Sequence, residues 1–332
     1  MRIAINGYGR IGRCLHRQIL ANPNLKLVAI NSRAEAAIQA HLLKYDSIYG
    51  TLPNSVRSGK NTLLVDNTQI PVLTGEPNKD FKWKDFQVDV VVEATGKFTN
   101  FDTANQHLKA GAKHVLITAP CKDIRIPTFV VGVNDRELKK TDRIISNASC
   151  TTNCVAPLAK VLHENFGIRA AQLSTIHAAT NNQNIHDNSH PDLRRARSFL
   201  PSIVPTKTGV SSALARVYPA VAPQFAGISL RVPTLIVSLV DLVVELNSSV
   251  TAQELEKAFL QAAQNKLQGI LTFCTEELVS IDFRGNTHST VIDGPSLKVL
   301  KQNLVKILAW YDNEWAYAAR VKDLILLLGK NS

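Results

Sequence analysis

The hydrophobic positions of this chain change their period along its length. In the first half, residues 2–6 form a short apolar run that predicts a strand. Ile11, Leu15 and Ile19 then recur at helical spacing until Pro23 and Asn24 break the pattern. Leu25–Ile30 reads as a second strand and completes a βαβ unit. Val88–Val92 and His114–Ile117 are further strand-like runs, with helical material between them. Strands alternating with helices imply an α/β arrangement with a doubly wound parallel sheet.

Beyond about residue 150 the pattern differs. Apolar residues at helical spacing predict a helix over Thr151–Asn165, closed by Gly167. A stretch over 178–208 is rich in Asn, His, Arg and Pro and reads as loop. Strand patterns follow at Gly227–Arg231, Ser238–Leu246 and Leu304–Tyr311. Val240, Leu242, Val244 and Leu246 share one face, as in a half-buried antiparallel strand. Thr251-Ala-Gln-Glu254 is a capping box that opens a helix, and Ala316–Leu328 predicts a final amphipathic helix.

At 332 residues the chain is long enough for two domains. No apolar run is long enough to cross a bilayer, and Met1-Arg2-Ile3 leads straight into a strand without a secretory apolar region. A cytoplasmic location is the expectation. The five cysteines, Cys14, Cys121, Cys150, Cys154 and Cys274, show no Cys-x-x-Cys spacing and suggest neither a disulfide framework nor a zinc site. His177, His186 and His190 have no cysteine or carboxylate set at ligand spacing, so no metal is expected. The net charge of +11 favours anionic partners such as phosphates and nucleotides. It is scattered, densest at Arg194, Arg195 and Arg197, and not interleaved with aromatics, so nucleic acid is not expected as the main partner.

Two stretches carry chemistry. Gly7-x-Gly9-x-x-Gly12, between a strand and a helix, fits a dinucleotide fingerprint, in which the pyrophosphate approaches the helix N-terminus. At the end of the second strand, where a carboxylate would accept from a ribose 2′-hydroxyl, the chain has Asn31-Ser32-Arg33. Ser32 can donate to a 2′-phosphate and Arg33 can pair with it, so the pattern favours NADP or dual use, with NAD possible. The other stretch is Ser146-Asn-Ala-Ser-Cys-Thr-Thr-Asn-Cys154, which sets Cys150 at the start of a predicted helix. The helix dipole and free N–H groups there favour a thiolate and can hold an oxyanion. His177, after Ser174-Thr-Ile, is the candidate base.

These features resemble phosphorylating glyceraldehyde-3-phosphate dehydrogenases over nearly the whole chain. The resemblance is carried by Ile5–Gly12, His41-Leu-Leu-Lys-Tyr-Asp-Ser47, Glu93-Ala-Thr-Gly-Lys-Phe98, Ser146–Cys154, His190-Pro-Asp-Leu-Arg-Arg-Ala-Arg197, Leu230-Arg-Val-Pro-Thr234 and Trp310-Tyr-Asp-Asn-Glu-Trp315. It implies a Rossmann domain over 1–149, joined by a C-terminal helix over 314–332. An α+β catalytic domain with a mainly antiparallel sheet is implied over 150–313. It further implies Cys150 as nucleophile and His177 as base and oxyanion partner. Thr180, Arg195 and Arg231 would hold the substrate phosphate, and Ser149, Thr151, Thr208 and Gly209 the attacking inorganic phosphate. Asn313 would orient the nicotinamide amide. Gly7, Gly9, Arg10, Ile11, Gly12, Ser32, Arg33, Thr95, Gly96, Thr118, Ser189 and Tyr317 complete the implied cofactor set. A homotetramer acting on glyceraldehyde 3-phosphate and inorganic phosphate is the implied assembly and activity.

Two departures stand out. Where bacterial relatives commonly read His-x-Tyr-Thr-Asn-Asp-Gln, this chain has His177-Ala-Ala179-Thr-Asn-Asn182-Gln183, which removes a carboxylate near the substrate phosphate. Where NAD-specific relatives carry Leu-Pro, it has Asn188-Ser189, in agreement with the absent acid at Ser32. The nearest rival activity is oxidation of erythrose 4-phosphate, which the intact Thr208-Gly209 pair disfavours. A non-catalytic basic binding protein is a reading of another class, and the presence of both thiol and histidine argues against it.

Overall fold

The computed structural model describes residues 1–77 and 79–331. By contact density the chain divides into two compact units. One comprises Met1–Phe129, Arg136–Ser149 and the segment from Tyr317 on; the other comprises Val130–Asp135 and Cys150–Ala316.

The first unit holds an eight-stranded sheet. Its strands run, in spatial order, Ile144–Ser146, His114–Ile117, Val90–Glu93, Arg2–Asn6, Lys26–Asn31, Thr68–Leu73, Thr62–Val65 and Val56–Gly59. The first six are parallel to one another, and each of the last two is antiparallel to the strand before it. The central strands are apolar on both faces, with Ile3, Ile5, Val90, Val91 and Val92 fully buried, as a parallel sheet covered by helices requires. From Arg2–Asn6 the chain first moves outward to Lys26–Asn31, then returns to Val90–Glu93 on the other side. The carboxyl end of Arg2–Asn6 therefore lies at the switch point of the sheet, where ligand crevices form.

The second unit is built on a mixed sheet. Its strands lie in the order Val204–Thr206, Phe225–Val232, Ile168–Ala178, Ser238–Leu246, Leu304–Tyr311, Thr290–Asp293 and Leu271–Cys274. Most neighbours are antiparallel, but Ile168–Ala178 pairs in parallel with Phe225–Val232, and Leu271–Cys274 with Thr290–Asp293. Ser238–Leu246 alternates buried and half-buried along its whole length. The helix Cys150–Phe166 packs on this sheet, ended by Gly167 at a φ of +67°. The helix Ala252–Gln264 opens with the capping box at Thr251 and Glu254.

Register decides which side chains meet. His177 lies directly opposite Arg231 across one parallel pair, and Ser238 opposite Tyr311 across one antiparallel pair. Ile176 faces Leu239 on the strand between, so all four residues gather at the same end of the sheet.

Candidate active site

Cys150 begins the helix Cys150–Phe166 and is half-buried. The turn that delivers it is strained. Ala148, buried two residues earlier, adopts a left-handed φ of +52°. Its amide bonds the Ser146 hydroxyl at 3.1 Å, and its carbonyl accepts from the Tyr317 hydroxyl at 3.0 Å. The Ser146 hydroxyl in turn donates to Ala119 O at 2.7 Å. Local bonds thus hold the conformation that converts a strand into a helix within four residues.

Cys150 Sγ lies 3.4 Å from His177 Nε2. His177 is buried near the end of Ile168–Ala178. Its other nitrogen, Nδ1, lies 2.7 Å from Ala178 O and also meets Arg231 Nη1. Nδ1 cannot donate to the carbonyl and accept from the guanidinium at once. In the tautomer with the proton on Nδ1, Nε2 presents a lone pair to the sulfur and is a base. In the other, Nδ1 accepts from Arg231 and Nε2 aims an N–H at the reacting centre. The geometry accommodates both, because Arg231 Nη1 also reaches Ala178 O at 3.2 Å.

The charge state corrects the expectation of a resting thiolate. Burial raises the Cys150 thiol, outweighing Arg231 and the hydrogen bonds from Thr151, which lower it. His177 is pushed down to about 3, first by burial and then by the charge of Arg231. The resting pair is a neutral thiol beside a neutral imidazole. The helix terminus acts in the expected direction, but desolvation is larger.

Further partners fix the pair. The Thr151 hydroxyl shares a hydrogen bond of 2.9 Å with the Tyr311 hydroxyl, and the Tyr311 ring stands edge-on to His177 at 6.1 Å. The Ala178 amide donates to the Ser238 hydroxyl at 3.0 Å, which donates to Asn313 Oδ1 at 2.9 Å. Tyr311 and Ser238 were not singled out by sequence reasoning. Tyr311 lies within the Trp310–Trp315 motif, and Ser238 begins the strand Ser238–Leu246.

Arg195 forms a second cationic group. Its Nε donates to the Thr206 hydroxyl at 2.9 Å, its Nη1 bonds Asn182 Oδ1, and Asp192 lies 3.8 Å away. Its charge lowers both His177 and Arg231, which places it within electrostatic reach of the pair. Thr180 is fixed by Gln183, whose Oε1 accepts from the Thr180 amide and hydroxyl, each at 2.9 Å. Gln183 is a third residue, after Tyr311 and Ser238, that sequence reasoning left without a role, and it closes the His177–Gln183 stretch. Thr208 is half-buried and Gly209 caps the eight-residue helix Val210–Val217. Cys154 is buried one helical turn beyond Cys150.

Two family models match the chain: the NAD binding domain of glyceraldehyde 3-phosphate dehydrogenase over residues 1–101, and its C-terminal domain over 149–313. Among curated proteins, glyceraldehyde-3-phosphate dehydrogenase 2 of Bacillus subtilis is 47% identical, covering 98% of this chain and 96% of its own length. The glyceraldehyde-3-phosphate dehydrogenase of Geobacillus stearothermophilus is 47% identical, with 98% and 97% covered. Glyceraldehyde-3-phosphate dehydrogenase 2 of Synechocystis is 45% identical over 99% of both chains. The chain belongs to the glyceraldehyde 3-phosphate dehydrogenase family. It is an oxidoreductase that uses a nicotinamide dinucleotide.

The family's NAD-binding segment fits such a cofactor here. Gly7 has a φ of +96°, and a Cβ there would lie 2.7 Å from Ala94 C and Thr95 N. A Cβ on Gly9, by contrast, would meet nothing within 4 Å, leaving open space beside the N-terminus of the helix Arg10–Leu20. A Cβ on Gly12 would come within 2.7 Å of Gly7 O, so helix and turn are in close contact. Ile11 is on the first turn of that helix, and Arg10 pairs with Asp46 at 2.6 Å. The fully buried Glu93 binds both loops at the switch point. It accepts from Asn6 Nδ2, from the Thr95 amide at 2.8 Å and from the Thr95 hydroxyl. Gly96 follows at a φ of +70°. Thr118 donates from its amide and hydroxyl to Glu93 O, at 2.9 and 3.1 Å. The Ser32 hydroxyl accepts from Gln39 Nε2 at 2.6 Å and the Ala34 amide at 3.1 Å, while Arg33 is exposed. Asn313 is buried in the second unit, where Ser189 is exposed on the loop before Val204–Thr206. No helix among the described residues is long and apolar enough to cross a membrane.

Proposed function

We propose that the protein catalyses reversible phosphorylating oxidation of glyceraldehyde 3-phosphate to 1,3-bisphosphoglycerate. The observation that carries this reading is the sulfur at 3.4 Å from His177 Nε2, with Arg231 on the opposite edge of the same ring. His177 takes the thiol proton as Cys150 adds to the aldehyde carbon, and the helix N-terminus receives the developing oxyanion. After reprotonation of that oxygen, Cys150 carries a hemithioacetal. A nicotinamide dinucleotide, when bound, would supply the hydride acceptor for this oxidation, and His177 Nε2 takes the hydroxyl proton. The product is a thioester on Cys150. Inorganic phosphate attacks its carbonyl carbon, the carbon–sulfur bond breaks, and an acyl phosphate leaves with the thiol restored.

Arg231, Arg195 and Thr180 serve the substrate phosphate in this scheme, since guanidinium groups pair two phosphate oxygens at once. Ser149, Thr151, Thr208 and Gly209 serve the attacking phosphate, and Asn313 the nicotinamide amide. NADP, or both dinucleotides, is the favoured cofactor. Ser32 retains a hydroxyl proton to donate, and no carboxylate at that position repels a 2′-phosphate. A cytoplasmic homotetramer is the proposed setting. Exposed Ile185, Leu193, Leu200 and Ile203, all before or within Val204–Thr206's approach, support burial against like chains. Initial rates with glyceraldehyde 3-phosphate test the reading. Turnover must require inorganic phosphate, exceed that with erythrose 4-phosphate, and be at least as efficient with NADP as with NAD.

A further inference from the structure

The Gly7–Gly9 turn carries a tether that no residue role given so far explains. Tyr8, between the two glycines, is buried, and its hydroxyl contacts His16 Nδ1, about two turns along the following helix. His16 is fully buried, and its Nε2 meets no hydrogen-bond partner among the described residues. The Tyr8 hydroxyl is thus the partner of the Nδ1 of this ring. Arg13 completes the hold: its Nη1 donates to the Tyr8 carbonyl at 2.9 Å, and its amide donates to Gly9 O at 3.0 Å.

The peptide plane supplies the consequence. The Tyr8 carbonyl and the Gly9 N–H share one trans peptide unit and point in opposite directions. Fixing the carbonyl against Arg13 and the side chain against His16 aims the Gly9 N–H away from both. Gly9 is also the position whose missing side chain leaves open space beside the helix N-terminus. Breaking the Tyr8–His16 bond would leave two buried polar groups unsatisfied, so the turn cannot relax without cost. A preset donor spares the ordering that a mobile loop would undergo on binding.

We propose that the Tyr8–His16 hydrogen bond presets the phosphate-binding turn, which makes Tyr8 a positioning residue for the pyrophosphate of the dinucleotide. The inference rests on the dinucleotide site described above.

The test compares the wild type, Tyr8→Phe, and the double variant Tyr8→Phe/His16→Leu as full-length proteins. ADP-ribose and NADP binding is measured by calorimetry, with thermal melting in parallel. Tyr8→Phe should raise both dissociation constants about threefold to tenfold, the size of one hydrogen bond. The KM for the dinucleotide should rise in step, and saturating dinucleotide should restore the rate. The double variant replaces both polar partners with apolar groups, so its melting temperature should recover towards wild type. Its dissociation constants should stay raised, because the tether is still missing. Unchanged affinity in Tyr8→Phe, or affinity that recovers together with stability in the double variant, overturns the proposal. A wild type that bound neither probe would overturn the dinucleotide site itself, which keeps the two failures distinct.

Discussion

Arg231 touches the edge of the His177 ring that faces away from Cys150, on Nδ1, while the sulfur lies 3.4 Å from Nε2. The contact follows from strand register, because His177 and Arg231 are direct partners across a parallel pair. One cation therefore opposes protonation of the base and also pulls the thiol towards its anion. Burial disfavours the charged form of both groups.

Cys150→Ser should abolish oxidation. A serine hydroxyl is a far weaker nucleophile beside a neutral imidazole, and kcat should fall by more than about a thousandfold. Melting temperature should change little, since the residue is half-buried and the substitution small. Substantial remaining turnover would contradict the assigned nucleophile.

Arg231→Ala should weaken recognition of the phosphorylated aldehyde. Removing a charge-assisted partner is worth about 1.5–3 kcal/mol, or roughly ten- to a hundredfold in kcat/KM. Glyceraldehyde without its phosphate should be affected much less. Equal loss on both aldehydes would show that Arg231 acts through its contact with His177 and not on the substrate phosphate.

Asn182→Asp sets a carboxylate against Arg195, which Asn182 now meets through Oδ1. The added charge competes with the substrate phosphate for the same guanidinium. The KM for the phosphorylated aldehyde should rise several-fold, and more so at low ionic strength. A lower KM would contradict this electrostatic account.

Ser32→Asp should shift preference towards NAD. The carboxylate accepts from a free 2′-hydroxyl and repels a 2′-phosphate, so the NADP/NAD ratio of kcat/KM should fall about tenfold or more. An unchanged ratio would count against Ser32 as the determinant.

Acid should destabilise the fold through its buried histidines. His177 and His16 are pushed down to about 3, chiefly by burial, whereas an unfolded histidine titrates near about 6.5. Between these values the unfolded chain binds more protons. Their contribution is complete above about pH 6.5 and is lost as pH falls towards 3. His177→Asn should show a shallower fall in urea midpoint from pH 7 to pH 4 than the wild type. Parallel curves would contradict a buried neutral His177.

Legibility in the sequence followed the strength of the local pattern. His114–Ile117, Ser238–Leu246 and Leu304–Tyr311 have the bounds their hydrophobic runs predict. The first carries the apolar run Val115–Ile117, fully buried, and in the second burial alternates without a break. The antiparallel strands Val56–Gly59 and Thr62–Val65 escaped notice. Arg57, Ser58 and Gly59 are exposed at the sheet edge, so burial imposes no apolar period on them. Their turns did leave a trace in Asn61 and Asp66, both left-handed. Parallel pairing of Phe225–Val232 with Ile168–Ala178 was invisible, because pairing direction is set by the intervening path and not by either strand. At the site, Cys150 and His177 stood out by motif. The neutral state of that pair depends on enclosure by distant strands, which no local spacing reports.

Direct mass measurement of the enzyme mixed with glyceraldehyde 3-phosphate and dinucleotide, without inorganic phosphate, tests the covalent step. A phosphoglyceryl adduct should appear on the peptide that contains Cys150, and added phosphate should discharge it as acyl phosphate. An enzyme that oxidises the aldehyde with no adduct on Cys150, or whose adduct inorganic phosphate leaves untouched, would contradict the account.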